Sequence, residues 1–242
     1  MDSKNILEIE QERLELLKKY KLDEESNLEF RSTIKKVSEE EADKLGKKLY
    51  NIINKKDYNE KDDTQFDEVI NLVFDGANLE YKTSQKKIFP LLVCCRRGYI
   101  KTFILLVRAG ADVNQVNDYG TTCCMDAARR NYVHILNLLI LLGADINARC
   151  SDGDTALFSA KIHDNKESFH ALVQAGSYLG NRNSLNQTIF DINPSSSLTI
   201  DSKFLADKNL SVPSVSFQDT QDLVEEATQK MKQILQKNNI PY

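Results

Sequence analysis

The chain has 242 residues, 41% of them hydrophobic and 28% charged, with a formal net charge of −4. That composition is enough for an apolar core, and the acidic balance argues against a general nucleic-acid binder. The longest apolar run, around Ile135 to Leu142, is interrupted by Asn137 and is far short of the ~20 residues a membrane span needs, so no membrane insertion is expected.

The first residues are charged and lack the apolar stretch of a signal peptide. Asp2 is incompatible with N-myristoylation, and the "NNIPY" end is no prenylation box. Five cysteines, an odd number, point to a reducing compartment. The expected location is the cytoplasm, with nuclear or cytoskeletal association as alternatives.

Residues 1–37 read as a helical extension. Ile6, Ile9, Leu14, Leu17 and Tyr20 mark an amphipathic helix over residues 4–20. Ser26 and Glu29 have capping-box spacing ahead of Leu28, Phe30, Ile34 and Val37. A second capping box, Ser38 with Glu41, opens a stripe of Ala42, Leu45, Leu49, Ile52 and Ile53. A polar linker, "KKDYNEKDDT", follows, then Phe66, Val69, Ile70, Leu72 and Val73 up to Gly76.

From there the chain repeats itself. Gly76, Gly110, Gly143 and Gly176 stand 34, 33 and 33 residues apart. Twelve residues before the last three lie Gly98, Asn131 and Asp164, types that tolerate a left-handed backbone. Such a residue can stop one helix and let a second begin, giving a helical hairpin. Thr122 and Thr155 suit helix N-caps, and Pro90 suits a first helical position. The second helices carry Ile100, Phe103, Ile104, Leu105 and Leu106, then Phe169, Leu172 and Val173. Between them, Val133, Leu136 and Ile140 form one face that Ile135, Leu138, Leu139 and Leu142 widen.

The predicted units are a degenerate 38–80, then 81–114, 115–147 and 148–180, with a partial unit at 181–193 in which Thr188 and Phe190 hold repeat positions. Each helix pair is too small to bury its own apolar face, so neighbours must stack. Residues 194–217, rich in serine, read as an extended linker. In residues 218–242, Leu223, Ala227, Met231, Ile234 and Leu235 have helical spacing.

These units resemble ankyrin repeats, whose period is about 33 residues. The family's T-P-L-H-x-A opening matches Thr122 to Ala127 and Thr155 to Ala160, and more loosely Phe89 to Cys94. The histidine position holds Leu92, Met125 and Phe158 instead, so apolar packing should replace any polar bridge made there. The resemblance implies an all-α solenoid of about four helix-turn-helix repeats between amphipathic helical extensions. Those extensions either shield the ends of the stack or dock into a partner as helices in a groove.

Little in the chain suggests catalysis. Vicinal cysteines, Cys94-Cys95 and Cys123-Cys124, do not have zinc-knuckle spacing and fall on small apolar repeat positions. The three histidines form no metal motif, and no P-loop, dinucleotide fingerprint or nucleophile elbow occurs. No enzyme activity, metal or cofactor is expected.

The resemblance implies instead a protein-binding module that meets partners at turn tips and first-helix ends, on the concave face of the stack. Carried onto this chain, those positions are Gln85, Lys86, Arg96 and Arg97, then Asp118, Tyr119, Arg129 and Arg130, then Asp152, Asp154 and Ile162. The arginine pairs recur at one repeat position, so stacking should align them into a basic strip. Such cations gain ~0.3–1 kcal/mol at a helix C-terminus, which alone could account for them. Alternatively, the strip recognises an acidic protein segment with Tyr119 as an aromatic anchor. The expected context is a scaffold or structural subunit of a larger intracellular assembly. The alternatives are a free adaptor or microbial effector, or a binder of anionic lipid or nucleic acid through the strip.

Overall fold

The computed structural model describes residues 3–19, 21–192, 198, 229 and 233. The expected linker 194–217 and terminal helix 218–242 lie outside these, apart from buried Leu198 and the exposed helical residues Gln229 and Gln233. Among the described residues there are ten helices and no strand, an all-α architecture. The chain divides into two compact units, Lys18–Val113 with Phe217–Tyr242, and Met1–Leu17 with Asn114–Ser216.

The opening helix, α1 (Ser3–Lys19), belongs mostly to the second unit. The first unit begins with α2 (Glu24–Ser32). Its cap is Asp23, not Ser26: the Asp23 carboxylate accepts from Ser26 N at 3.0 Å and from the Ser26 hydroxyl at 2.9 Å. A carboxylate three residues earlier outcompetes the serine, which is drawn into the first turn as a donor. Burial raises the Asp23 pKa, but the two Ser26 hydrogen bonds outweigh it and hold the group below its usual value.

Ser38 does cap α3 (Glu39–Ile53), accepting from Glu41 N at 3.3 Å. This helix buries Leu49, Ile52 and Ile53 against α4 (Asp63–Phe74) and α5 (Pro90–Arg97). α4 packs in turn on α6 (Ile100–Ala109), which buries every residue from Thr102 to Arg108. The polar linker between α3 and α4 does more than connect. Its Tyr58 is buried with the hydroxyl 2.8 Å from Thr102 Oγ1, and Glu60 accepts from Thr102 N at 3.0 Å. Glu60 thereby caps α6, whose own N-cap residue, Tyr99, makes no side-chain cap.

The second unit holds α7 (Cys123–Arg129), α8 (Val133–Leu141), α9 (Ala156–Ile162) and α10 (Lys166–Gln174). Thr122 caps α7 through Met125 N at 3.2 Å, whereas Thr155 sits at the N-cap of α9 without a side-chain bond. Between the paired helices Gly98, Asn131 and Asp164 all have positive φ, at 79°, 58° and 55°. Leu92, Met125 and Phe158, at the family's histidine position, are buried.

The face of α8 is rotated from the expected one. Val133 and Ile140 are only half-buried, while Ile135, Leu136, Leu138, Leu139 and Leu141 are at most 1% exposed. The helix packs on both α7 and α10, and α1 reaches its end, so several sides of it are covered. In the partial fifth repeat Ile189 enters the core at 1% exposure, and Phe190 remains 60% exposed. Thr188 there donates to Asp191 Oδ2 through its N–H and its hydroxyl, so it does not cap a helix.

The described residues of the N-terminal extension meet second helices of the repeats. α2 packs on α6, with Phe30 stacked under the Arg108 guanidinium at 4.8 Å and against Phe74 at 5.3 Å. In the second unit Arg13 Nε donates to Leu141 O, at the end of α8, at 2.7 Å.

Candidate functional site

The predicted contact positions fall on two kinds of local structure, turn tips and first-helix ends. Four tips, at residues 83–88, 117–121, 150–154 and 183–187, are each closed by a backbone bond across the turn. Each has a left-handed residue in register: Lys87, Gly120, Gly153 and Asn186, with φ of 47°, 68°, 75° and 60°. Those four are 33 residues apart, but only two are glycine, so the series is not obvious from residue type.

Side chains stiffen the tips. Asn117 Oδ1 accepts from Tyr119 N and Thr121 N, both at 2.9 Å, and Asn183 Oδ1 accepts from Leu185 N and Gln187 N at 3.1 and 3.0 Å. The equivalent position in the third tip is Cys150, and there Arg149 Nε bonds Gly153 O at 3.2 Å. Such turns hold their exposed side chains on a rigid base, which lowers the entropy cost of binding.

In the first unit Gln85 and Lys86 are exposed on the first tip, beside exposed Lys87. Arg97 is exposed and Arg96 half-buried at the end of α5. Burial pushes the Tyr50 hydroxyl up, and Arg96 and Arg97 both pull it back, which places these cations close to that ring.

The second unit is electrostatically mixed. Asp118, Tyr119 and Asp152 are exposed on the tips, Tyr119 by 50%. Arg129 and Arg130 are exposed at the end of α7, where Arg129 Nη2 lies 3.8 Å from buried Asp126 Oδ1. At the end of α9 the same positions are Ile162, 44% exposed, and His163. Asp154 differs from the others. It is part-buried, and burial raises its pKa while a hydrogen bond with Asn183 lowers it, so it ties one tip to the next.

This surface can offer cations, carboxylates and one aromatic ring from fixed positions, which suits recognition of a polypeptide. Four of the five thiols lie outside it: Cys94, Cys95, Cys123 and Cys124 are buried, and burial pushes the Cys124 thiol far up, while part-buried Cys150 stands in the third tip. Among the described residues no cluster of three metal-ligating side chains occurs, and no helix is long and apolar enough to cross a membrane. Tyr178, Leu185 and Phe190, exposed by 65%, 75% and 60%, were not anticipated from the sequence. Leu185 could have been found, since it lies one further step of 33 beyond Tyr119 and Asp152.

A family model for ankyrin repeats in three copies matches residues 62–150 and again 91–184. Together these matches span residues 62–184, just over half of the 242. No curated protein matches the chain.

Proposed function

The chain belongs to the ankyrin-repeat family, whose repeats are generally protein–protein interaction modules, and we propose that it is a non-catalytic binding subunit that captures partner proteins through its turn tips and first-helix ends. In the first unit the contact residues are Gln85, Lys86, Arg96 and Arg97. In the second they are Asp118, Tyr119, Arg129, Arg130, Asp152 and Ile162. Asp154 supports the tips from behind.

The observation that supports this most is the contrast at one repeat position. Residues just inside the ends of the first helices, Cys95, Ala128 and Lys161, are buried, while Arg97, Arg129, Arg130, Ile162 and His163 at those ends are exposed. Tyrosine and arginine are also the residue types most enriched at interface hot spots, at ~2 kcal/mol or more each. The mixed charge of the second unit favours a partner segment bearing both signs, and the cationic tip of the first unit favours an acidic one. The context fits a scaffold or structural subunit of an intracellular assembly.

The test is capture by the full-length chain from its source cells, beside two variants, Arg96→Glu with Arg97→Glu and Arg129→Glu with Arg130→Glu. At least one pair should abolish capture of a specific protein while the chain stays folded, the melting temperature falling by only a few degrees, as for losing ~0.3–1 kcal/mol per cation at a helix C-terminus. Capture unaffected by both pairs would remove the basis for this surface.

A further inference from the structure

The first tip is built differently from the other three. Its closing bond runs from Thr83 N to Ile88 O, so it is one residue longer than the tips at 117–121, 150–154 and 183–187. The step of 34 from Gly76 to Gly110, against 33 elsewhere, carries the insertion. In the second and fourth tips the two amides before the closing residue are used inside the turn. Tyr119 N and Leu185 N donate to asparagine Oδ1 atoms, and Gly120 N and Asn186 N donate to asparagine carbonyls. The first tip has Thr83 in the place of those asparagines. Its hydroxyl oxygen accepts from Ile88 N at 3.0 Å and donates to Gln85 O at 2.5 Å. Among the described residues nothing accepts from the N–H groups of Gln85, Lys86 or Lys87.

Three successive amides thus remain on an exposed turn, and cations surround them. Lys82, Lys86 and Lys87 are all exposed, and residues 81–88 contain no acid. Lys86 and Lys87 form no ion pair among the described residues. The neighbouring carboxylate, Glu80, already accepts from Asp112 N at 3.1 Å. Both lysines are also left-handed, with φ of 64° and 47°, where each other tip has one such residue. Lysine avoids that region, and strain of this sort gathers at ligand clamps. Successive turn amides form concavities that hold anions. A phosphate monoester brings about −1.5 to −2 charge and three acceptor oxygens, enough to engage amides and ammoniums together. A carboxylate brings one charge and two oxygens. We propose that the first tip binds a phosphate group carried on a partner polypeptide, through the amides of Gln85, Lys86 and Lys87 and the ammoniums of Lys86 and Lys87. This names the chemistry of the partner and rests on the reading of Gln85 and Lys86 as contact residues.

The test uses the isotope-labelled full-length chain and a short peptide with a central phosphoserine. The same peptide with serine, and with glutamate, at that position is titrated beside it. The amide signals of Gln85, Lys86 and Lys87 should shift saturably with the phosphopeptide, at a dissociation constant of about 1 mM or below. The glutamate peptide should bind roughly tenfold more weakly. Lys86→Gly with Lys87→Gly keeps the left-handed turn and its amides but removes both charges, so the variant should stay folded and bind the phosphopeptide roughly tenfold more weakly. Absent shifts at these amides, or equal binding of the three peptides, would overturn the phosphate assignment. If reversing Arg96 and Arg97 still abolished capture in that case, the contact surface would stand without it. Inorganic phosphate binding as tightly as the phosphopeptide would overturn the polypeptide as its source. Phosphoinositide vesicles that displaced the phosphopeptide at equal lipid concentration would do so too, by giving the tip to a membrane.

Discussion

Leu139 and Tyr119 are apolar or aromatic residues of one unit with opposite consequences. Leu139 is 0% exposed within α8. Leu139→Ala leaves a cavity and should cost about 2–5 kcal/mol in chemical denaturation. Tyr119 is 50% exposed on a tip, and Tyr119→Ala should change stability by less than ~0.5 kcal/mol while reducing partner capture. If the two substitutions cost the same, the division between packing and contact residues fails. Glu60 makes a third kind of case. Burial pushes its carboxyl above the ordinary value, and the hydrogen bond from Thr102 N pulls it part of the way back. The folded state therefore binds this proton more tightly than the unfolded chain does. The stability linked to it is fully present below the unfolded value near 4.5 and is lost as pH rises through the folded value. Gln can still accept from Thr102 N, so Glu60→Gln should be at least as stable at pH 7 and should lose that part of the pH slope. A less stable variant at pH 7 would show that the carboxylate's charge contributes more at the α6 N-terminus than its burial costs.

At the scale of elements, helices are joined by polar residues that reach across repeats. Glu80 Oε1 accepts from Asp112 N at 3.1 Å, Asn114 Oδ1 from Asp145 N at 2.8 Å, and Asn147 Oδ1 from Tyr178 N at 2.8 Å. Asn114 and Asn147, each four residues after a repeat glycine, are thus stitches to the repeat that follows. Asn131 combines two roles. It turns the backbone at φ 58°, and its Oδ1 accepts from Ser168 N at 3.1 Å, capping α10 from the preceding repeat. Asn131→Gly should lose the side-chain bonds to Ser168 and Glu167 without backbone strain, roughly 0.5–2 kcal/mol. Asn131→Ala should add roughly 1–2 kcal/mol of left-handed strain. The order of the two midpoints checks this, and an alanine variant as stable as the glycine variant would contradict it. The extension uses cations in a similar way. Lys35 Nζ pairs with Asp75 Oδ1 at 2.6 Å at the C-cap of α4, Arg13 Nε donates to Leu141 O, and the Arg31 guanidinium lies where a Cβ on Gly110 would come within 2.9 Å of its Nε. Each meets the C-terminal end of a second helix, where the helix dipole favours positive charge.

Across the whole chain, what could be read in advance was whatever repeats. The 33-residue step placed the helix pairs, and the left-handed turns at Gly98, Asn131 and Asp164 followed from residue type. Interactions made once were not legible. Nothing in "KKDYNEKDDT" shows that Tyr58 will be buried, because its partner Thr102 lies 44 residues away. The packing of α2 on α6 depends on Phe30 meeting Arg108, and the capping box at Ser26 yielded to the stronger acceptor Asp23. The proposed contact surface was partly legible: its positions follow from the repeat, but the charge beside Arg129 depends on where Asp126 falls in the fold. The central claim is that partners meet the tips and first-helix ends. The most direct test places a photo-crosslinking amino acid at Tyr119, at Ile162, and at Lys166 and His170 on exposed positions of α10, each in the full-length chain in its source cells. Adducts to the same protein from Tyr119 and Ile162, with none from Lys166 or His170, are the predicted result. Adducts confined to Lys166 and His170 would contradict the account and move the binding surface to the second helices.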